Sequence, residues 1–464
     1  MTNKLVFIVS LCTVFASFSQ ENKTILTLEE YIGYVKKFHP IVKQARLITS
    51  ESEAQLLKSR GAFDPKIEVD YDRKKFKNTS YYDKLNAMFK IPTWYGVELK
   101  ANYENNEGSF LNPELSTPSD GLYSAGISIS LAKGLLTNER MATLQQAKLY
   151  LKQAKAAQDL LVNDILYNAI TSYFNWLKNK QSTTIYGEYV ENATIRLSNV
   201  KQSFIAGDKP AIDTLEASIN LKNRLLDFEK ARIGYLKSTL VLSNYLWLEN
   251  NLPLELENNV IPDINTINRV DIVLNSSVLD LTNDVLENHP KLLELQTKKE
   301  ILSINRRLQT NNLLPQIDLE YNFLTSDYNQ INSLNTANYK SGLTISFPLF
   351  LRKERANIKL ATLKIQNIDF DISATKVTLK NKITSVQQEI ASYQTQYELL
   401  LTLVTDYKQL VKSEERKFNL GEGSLFLVNF REAKLIESQL KKIDAEYQLF
   451  SSKSTLIWVI SSLE

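Results

Sequence analysis

The sequence predicts an α+β membrane protein with an internal duplication, in which strand segments alternate with very long helices. Three observations predict this class. One order of motifs occurs twice in the 464 residues, two segments carry uninterrupted heptad repeats, and two strand regions alternate apolar with polar residues. Each repeat is expected to contain a helix, strands, a very long helix, a turn and a second long helix.

Four ordered matches define the duplication. The matched segments of the two copies are 38–40 with 288–290 continuing into 65–71 with 315–321, then 126–131 with 342–347, 204–207 with 418–421, and 213–217 with 429–433. The offset between copies is 250 as far as Tyr71 and about 215 from Gly126 onward. The first copy therefore carries about 35 extra residues between those two positions.

These matches set the expected organisation of the chain. We expect a signal peptide at 1–19, a first repeat at 20–248, a linker at 249–278 and a second repeat at 279–464. The first repeat has strands at 64–131 and a helical hairpin at 135–248 that turns near residue 207. In the second repeat, strands at 315–349 precede a hairpin at 352–462 that turns near residue 421.

The N-terminal segment and the composition exclude several classes of function. Lys4 followed by an apolar run is typical of a signal peptide, and the one cysteine, Cys12, lies inside it. A mature chain without thiols excludes cysteine nucleophiles and cysteine metal clusters. The net charge of +3 is too balanced to indicate nucleic-acid binding. His39 and His289 each precede a proline without metal-binding spacing, so we expect no enzyme, cofactor or metal.

The long helices have a coiled-coil pattern. Gly187 is the one Gly or Pro within 135–206 or 352–420, and each segment could form a helix of roughly 100 Å. Apolar or small residues recur at steps of three and four: Ile358, Ala361, Ile365, Ile368, Ile372, Thr375, Leu379, then Val386, Tyr393, Leu400, Leu403, Tyr407 and Leu410. Helices of this length must pack side by side in a rod or tube.

The strand regions predict a membrane barrel. Outside the signal, no run of about 18 apolar residues predicts a spanning helix, so strands would have to cross the membrane. The apolar face comprises Ile67, Val69, Tyr71, Ile127, Ile129, Leu131, Ile317, Leu319, Tyr321, Leu343, Ile345 and Phe347. Aromatic residues such as Trp94 and Tyr123 near strand ends are typical of outer-membrane barrels. So few strands cannot enclose a lumen, which requires an oligomer. An additional hairpin is predicted at 83–104, and the sequence leaves open whether it joins the barrel or lies outside it.

Three short motifs, each in its place in the repeat, resemble those of the TolC family of outer-membrane efflux proteins. They are His-Pro at 39–40 and 289–290, Leu-Pro-Gln at 314–316, and Phe-x-x-Gly at 204–207 and 418–421. The resemblance covers about 26–464. It implies a homotrimer with a twelve-stranded outer-membrane β-barrel, four strands per chain, continuous with a periplasmic α-helical coiled-coil barrel. The implied function is the exit duct of a tripartite efflux or type I secretion system, coupled through a periplasmic adaptor to an inner-membrane pump.

The resemblance also assigns candidate sites. Helix tips that contact the adaptor are Gly207, Asp208, Lys209, Gly421, Glu422 and Gly423. An acidic periplasmic entrance corresponds to Asp213, Glu216, Asn429 and Glu432, for which ordinary solvated helix charges are the alternative. The polar strand positions Glu68, Asp70, Asp318 and Glu320 would line the barrel lumen. Two rival functions remain: a structural or adhesive surface coiled-coil protein without channel activity, and a secreted enzyme that uses strand carboxylates.

Overall fold

The computed structural model describes residues 24–257, 259–274 and 286–461. The expected signal peptide at 1–19 lies outside these residues, as do positions 258 and 275–278 of the expected linker. In chain order the helices and strands are β1 (Thr24–Leu26), α1 (Leu28–Phe38), α2 (Pro40–Arg60), β2 (Lys66–Phe76), β3 (Thr79–Pro92), β4 (Val97–Glu107), β5 (Leu122–Ser130), α3 (Glu139–Ile205), α4 (Ala211–Ser243), β6 (Val260–Pro262), α5 (Val270–Val273), α6 (Pro290–Asn311), β7 (Gln316–Thr325), β8 (Tyr339–Ser346), α7 (Arg352–Asn419) and α8 (Leu425–Ile460).

The described chain divides into two compact units. The helix-tip unit comprises the residues up to Val35, Ala169–Val273 and Tyr393–Phe450. The sheet unit comprises Lys36–Asn168, Leu274–Ser392 and the residues from Ser451 onward. Within the described ranges, no helix is both long enough and apolar enough to cross a membrane.

The sheet unit contains a six-stranded antiparallel sheet in the order β2-β3-β4-β5-β7-β8. Lys77 and Asn78, both with positive φ, make the two-residue turn between β2 and β3. A turn of this kind matches the right-handed twist of the strands that it joins. Strand β5 of the first half pairs with β7 of the second half from Tyr123–Thr325 to Ser130–Asp318, so the two halves share one sheet.

The additional hairpin joins this sheet as its second and third strands, β3 and β4. The implied count of four strands per chain in the barrel sheet is therefore wrong for this protein, because the described residues form a sheet of six strands. The extra segment pairs on both sides because its alternation continues that of its neighbours: Phe89 lies opposite Ile67 on one side and Ala101 on the other.

Two histidines start helices of the sheet unit in the same way. The Nδ1 atom of His39 accepts a hydrogen bond from the Ile41 amide at 3.2 Å, and that of His289 accepts from the Lys291 amide at 3.1 Å. Proline follows each histidine at the first helical position, where its missing N–H is not needed. The repeated His-Pro motif is therefore a helix N-cap in both halves.

The long helices form two hairpins, at 139–243 and 352–460. Helix α3 begins at Glu139 because the Asn138 side chain accepts the Met141 amide at 2.8 Å and caps it. Along α7 the buried stripe includes Ala361, Ile365 and Ile368 as predicted.

One residue of the predicted α7 stripe is misplaced. Two successive four-residue steps, from Thr375 to Leu379 and on to Ile383, shift the register. As a result Leu403 is 41% exposed, and Val404 occupies the buried position instead.

An aromatic core holds the helix-tip unit together. Tyr31, Tyr173 and Trp176 are fully buried, and the Tyr31 and Tyr173 rings lie 5.7 Å apart. The Tyr173 hydroxyl donates to the Leu26 carbonyl at 2.8 Å, and the Trp176 indole donates to Thr239 at 2.9 Å. Burial raises the pKa of Tyr173 to about 12, so this hydroxyl stays protonated as a donor.

Candidate lumen face, helix tips and charged cluster

The sheet has one apolar face and one polar face across all six strands. Residues directly opposite each other in neighbouring strands share a face, and the register joins Val69, Ala87, Tyr103, Tyr123 and Thr325 in one row of the apolar face. The polar face carries all four predicted lumen residues, Glu68, Asp70, Asp318 and Glu320, together with Asp72, Lys84, Asn86, Lys90, Lys100, Asn102, Glu104, Asn322 and Lys340. Several of these residues line a hollow on that face.

The polar face contains lysines that the choice of lumen residues omitted. Lys90 pairs with Glu68 at 2.6 Å, Lys84 with Asp72 at 3.3 Å, and Lys100 with Glu320 at 3.4 Å. All three lysines lie on β3 or β4. The signal was present in the sequence, because Lys84, Asn86, Met88 and Lys90 alternate with Leu85, Ala87, Phe89 and Ile91 in the extra segment.

Aromatic side chains lie at both ends of the strands. Trp94, in the turn between β3 and β4, stacks on Phe63 with ring centres 5.6 Å apart. At the opposite end Tyr81 stacks on Phe110 at 4.6 Å. Aromatic residues at both ends of an apolar sheet face are the arrangement found at the two interfaces of a bilayer.

The two edge strands, β2 and β8, differ from the inner strands. Within the described residues each of them pairs on one side, and every position along both is exposed. The apolar face of these edges is strongly exposed, with Ile67 at 75% and Ile345 at 64%. Because the sheet is antiparallel with six strands, β2 and β8 run in opposite directions.

Both helix tips end in the same hydrogen-bonded turn. Gly207 and Gly421 have φ of 84° and 81°. The amide of Asp208 donates to the Ser203 carbonyl at 2.9 Å, and the amide of Glu422 donates to the Lys417 carbonyl at 3.0 Å. This is the Schellman arrangement, in which a glycine takes the left-handed conformation at no steric cost.

The two tips contact each other inside the helix-tip unit. The Lys209 ammonium lies 4.4 Å from the centre of the Phe418 ring. Phe418 also packs on a buried cluster of Val200, Ala217 and Leu425. Lys209, predicted to contact an adaptor, therefore already binds the face of an aromatic ring on the second tip.

Glu432 does not lie where the acidic entrance required it. Its side chain is buried, with the residue 1% exposed, between Arg196 and Arg224. Arg196 binds both of its carboxylate oxygens, at 2.8 and 3.1 Å, and Arg224 lies 3.6 Å away. For Glu432, this burial contradicts both a position facing a pore and an ordinary solvated helix charge, because side chains of α3 and α4 enclose the carboxylate.

The neighbours of Glu432 extend this charged cluster. Arg196 also binds Glu415 at 3.1 Å and Asn429 at 3.2 Å, and the Asn429 amide donates to Glu216 at 2.9 Å. Burial alone would lower the pKa of Arg196, but its bonds to Glu432 and Glu415 raise that pKa overall. Three of the four predicted entrance residues thus belong to one network that links α3, α4, α7 and α8. The fourth predicted entrance residue, Asp213, lies half-exposed at the start of α4.

Helix α4 carries an exposed apolar stripe that the sequence reading missed. The α4 stripe consists of Ile212, Leu215, Ile219, Leu226, Ile233, Leu236 and Leu240, spaced by three, four or seven residues. Their exposed fractions run from 40% at Ile233 to 70% at Ile212. The spacing is that of positions a and d in a heptad, as in α7, so the α4 stripe is visible in the sequence. Among the described residues, no group of three or more His, Cys, Asp or Glu could hold a metal ion.

Comparison with known proteins gives one family and one fold. Residues 281–460 match the family described as outer membrane efflux protein. The CmeC outer membrane channel of Campylobacter jejuni aligns with a TM-score of 0.66 at 14% identity, over 99% of this chain and 94% of that chain. No curated protein sequence matches the chain.

Two further crystal structures have the same fold. The outer membrane protein VceC of Vibrio cholerae aligns with a TM-score of 0.64 at 11% identity, over 94% of this chain and 96% of that chain. The open state of the MtrE outer membrane channel of Neisseria gonorrhoeae aligns with a TM-score of 0.63 at 11% identity, over 94% of this chain and 88% of that chain. At such identities the likeness establishes the α+β fold of outer membrane channels.

Proposed function

From its resemblance to the TolC-like family of outer-membrane efflux proteins, carried in sequence by residues 281–460 and in fold by nearly the whole chain, we propose that this protein is an outer-membrane exit duct. It passes small molecules or proteins from a tripartite efflux or type I secretion assembly to the exterior. Transport through the duct is passive and includes no catalytic step. The pump supplies the energy, and this chain supplies the conduit.

The observation that carries the proposal is the six-stranded sheet with two open edges. Its apolar face suits the lipid, and its polar face suits a water-filled lumen. In hydrocarbon an open strand edge is very unfavourable, because each unpaired backbone group lacks a hydrogen-bond partner. Both edges must therefore pair with further strands.

Copies of the same chain satisfy both edges. Since β2 and β8 run in opposite directions, β8 of one copy can pair antiparallel with β2 of the next copy around a closed ring. One six-stranded sheet is too small to enclose a lumen, as even eight strands leave an interior filled by side chains. We propose a homotrimer, in agreement with the family resemblance.

The helical hairpins are proposed to lie in the periplasm. Their tips, Gly207 to Lys209 and Gly421 to Gly423, meet a periplasmic adaptor protein that connects the duct to an inner-membrane pump. Of the residues expected at the entrance, half-exposed Asp213 is the one proposed to line it, because Asn429 binds Glu216 and Arg196 binds both Asn429 and Glu432. The similar order of elements in the two halves supports an origin by internal duplication.

Conductance in planar lipid bilayers tests the function. Purified oligomer should add discrete, stable conductance steps, and the same preparation dissociated by heating should add none. If the intact oligomer never conducts, the duct is excluded, and the rival of a structural surface protein without channel activity gains support.

Cysteine pairs test how the edges close. The mature chain is expected to lack cysteine, so Val69→Cys on β2 can be combined in turn with Ser341→Cys, Leu343→Cys or Ile345→Cys on β8. At least one pair should give an oxidant-dependent ladder on denaturing gels that ends at the trimer.

The control for the cysteine pairs replaces the β8 partner with Leu319→Cys on the inner strand β7. This pair should stay monomeric on denaturing gels, because β7 is paired on both sides. A ladder that ends at two chains contradicts the trimer, and absence of a ladder for all three edge pairs contradicts edge-to-edge closure.

A further inference from the structure

The hairpin formed by β3 and β4 occupies an unusual place for an insertion. The extra residues of the first repeat lie between Tyr71 and Gly126, where the second repeat has one direct connection from β7 to β8. Insertions commonly form surface loops outside the core of a fold. Here the inserted strands lie inside the sheet and separate β2 from β5.

The inserted pair preserves every feature that closure needs. Adding two strands leaves the directions of β2 and β8 unchanged, so the edges still match between copies. Both faces also continue without interruption, since Leu85 lies opposite Tyr71 and Leu99 lies opposite Ile127 on the apolar side. The insertion therefore lengthens the sheet along the circumference of the barrel.

The consequence for a trimer is a wider exit. Three six-stranded sheets make a barrel of eighteen strands, whereas three four-stranded sheets make twelve. Because barrel diameter grows roughly linearly with strand number, the eighteen-stranded barrel is about 1.5 times as wide. Barrels of about 16 to 18 strands enclose an open aqueous channel.

The hairpin also changes the charge of the lumen. Without it, the polar face carries five acidic residues, Glu68, Asp70, Asp72, Asp318 and Glu320, against fewer lysines, which include Lys66 and Lys340, so its character is acidic. Lys84 and Lys90 of β3 and Lys100 of β4 pair with three of those five acids. The inserted strands thus widen the sheet and partly neutralise the face that they extend.

We propose that the β3–β4 hairpin sets the width of the exit, so that the outer-membrane barrel has eighteen strands and admits bulky hydrated solutes, such as polypeptide segments, without acting as the size filter. This inference rests on the proposed function. It concerns the barrel alone, so size selection in the duct falls to the helical part.

The strand topology allows the hairpin to be removed, because β2 and β5 are antiparallel and can then become neighbours. Deletion of residues 77–107 joins β2 through the loop at 108–121 to β5, which again makes an antiparallel connection. In the present register Asp70 and Leu122 lie in one row of the polar face, so β2 can pair with β5 without exchanging faces.

The readout is polymer exclusion from the exterior side of channels in planar bilayers. Polyethylene glycols of graded size, added on that side alone, lower the conductance when they enter the barrel. The largest glycol that enters should have a diameter about 1.5 times larger for the wild type than for the deletion variant. Equal cut-offs for two conducting trimers would overturn the inference.

Two further measurements keep the test decisive. Electron cryo-microscopy of the wild-type trimer should show eighteen strands in cross-section, and twelve would overturn the inference even if the deletion variant does not fold.

The triple variant Lys84→Gln, Lys90→Gln, Lys100→Gln keeps the strands. It should keep the polymer size cut-off while its cation selectivity increases. A reduced cut-off in the triple variant would contradict width set by strand number. A wild-type trimer that never conducts would instead refute the proposed function.

Discussion

At the scale of single residues, Glu432 is a fully buried acidic side chain that lies between two arginines. The Glu432 side chain lies 2.8 Å from the Arg196 guanidinium and 3.6 Å from that of Arg224. Such a cluster costs desolvation energy in all its members, and its net contribution to stability is modest while it is complete. Loss of one member is different, because the others stay buried without a counter-charge.

Replacement of Glu432 should destabilise the helix-tip unit. Glu432→Ala leaves Arg196 and Arg224 buried with less negative charge near them, and we expect a loss of about 3–5 kcal/mol in unfolding free energy. Urea unfolding followed by circular dichroism would measure it. Glu437→Ala removes an exposed carboxylate that pairs with Lys434 and Lys441 on the same helix, and should change the midpoint little. Equal midpoints for the two variants would refute the structural role assigned to Glu432.

His289 should make the sheet unit sensitive to acid. Its Nδ1 accepts the Lys291 amide, so Nε2 carries the proton and donates to the Val459 carbonyl at 2.8 Å. Burial lowers the pKa of this imidazole, so the unfolded chain binds a proton at higher pH than the folded chain. The His289 contribution to stability is complete above about pH 6.5 and is lost as the pH falls from there through the lowered folded-state pKa.

The variant His289→Asn isolates this effect. Asparagine is also a good N-cap but does not titrate. The difference in thermal midpoint between wild type and variant should therefore change between pH 8 and pH 5, with the wild type losing relatively more stability at low pH. A constant difference over that range would show that His289 is not the titrating group.

At the scale of elements, both helical hairpins depend on a glycine at the turn. Gly207 and Gly421 have positive φ, and a Cβ added to either meets no atom within 4 Å. Any penalty for a side chain at these tips therefore comes from the backbone conformation and not from crowding. The sequence shows the glycines, and their φ angles show why they are needed.

Alanine at either tip glycine should be mildly destabilising. Gly207→Ala and Gly421→Ala are each expected to cost roughly 1–2 kcal/mol, the penalty for an L-residue in the left-handed region. Gly33→Ala in helix α1 is a matched control, because Gly33 also has open space at Cβ but lacks positive φ. It should stabilise by about 0.4–1 kcal/mol. Thermal unfolding of the three variants would distinguish the signs; a stabilising effect at either tip would be inconsistent with the turn described.

At the scale of the whole molecule, the sheet edges and the exposed apolar side chains of one chain indicate where other copies would pack. Among the described residues both sheet edges are unpaired on one side, and the α4 stripe leaves apolar side chains exposed along 212–240. Exposed apolar patches of this extent are typical of interfaces. We expect the α4 stripe to pack against a neighbouring copy in the proposed trimer.

A charge in the α4 stripe should weaken the oligomer and spare the chain's own fold. Leu226 is 61% exposed, so Leu226→Glu loses little packing within the chain but places a carboxylate in the expected interface. The temperature at which trimer dissociates on gels should fall, with helix content unchanged at low temperature. Lys230→Glu, whose side chain is 78% exposed on the same helix, provides the control. If both variants dissociate like the wild type, α4 does not contribute to the interface.

Much of this architecture could be predicted because its signals are local or periodic. The His-Pro caps, the Phe-x-x-Gly tips and the alternation of Ile67 to Tyr71 each depend on a few neighbouring residues, and their order in the chain indicated the family. The α7 stripe was predicted correctly apart from Leu403, and Val386 beyond Leu379 is fully buried as predicted. Two successive four-residue steps put Val404 in the place of Leu403, and a shift of one residue changes which side chains are buried without changing the composition.

The sequence by itself determined the order of the elements, the two faces of the strands and the positions of the helical turns, because these depend on steric preferences and periodicity along one stretch of chain. Tertiary structure alone decided that the extra hairpin lies between β2 and β5, and that Glu432 is buried between Arg196 and Arg224. The place of the hairpin depends on which strands pair with it on either side. The burial of Glu432 depends on Arg196, 236 residues away in the sequence. No local pattern records either outcome.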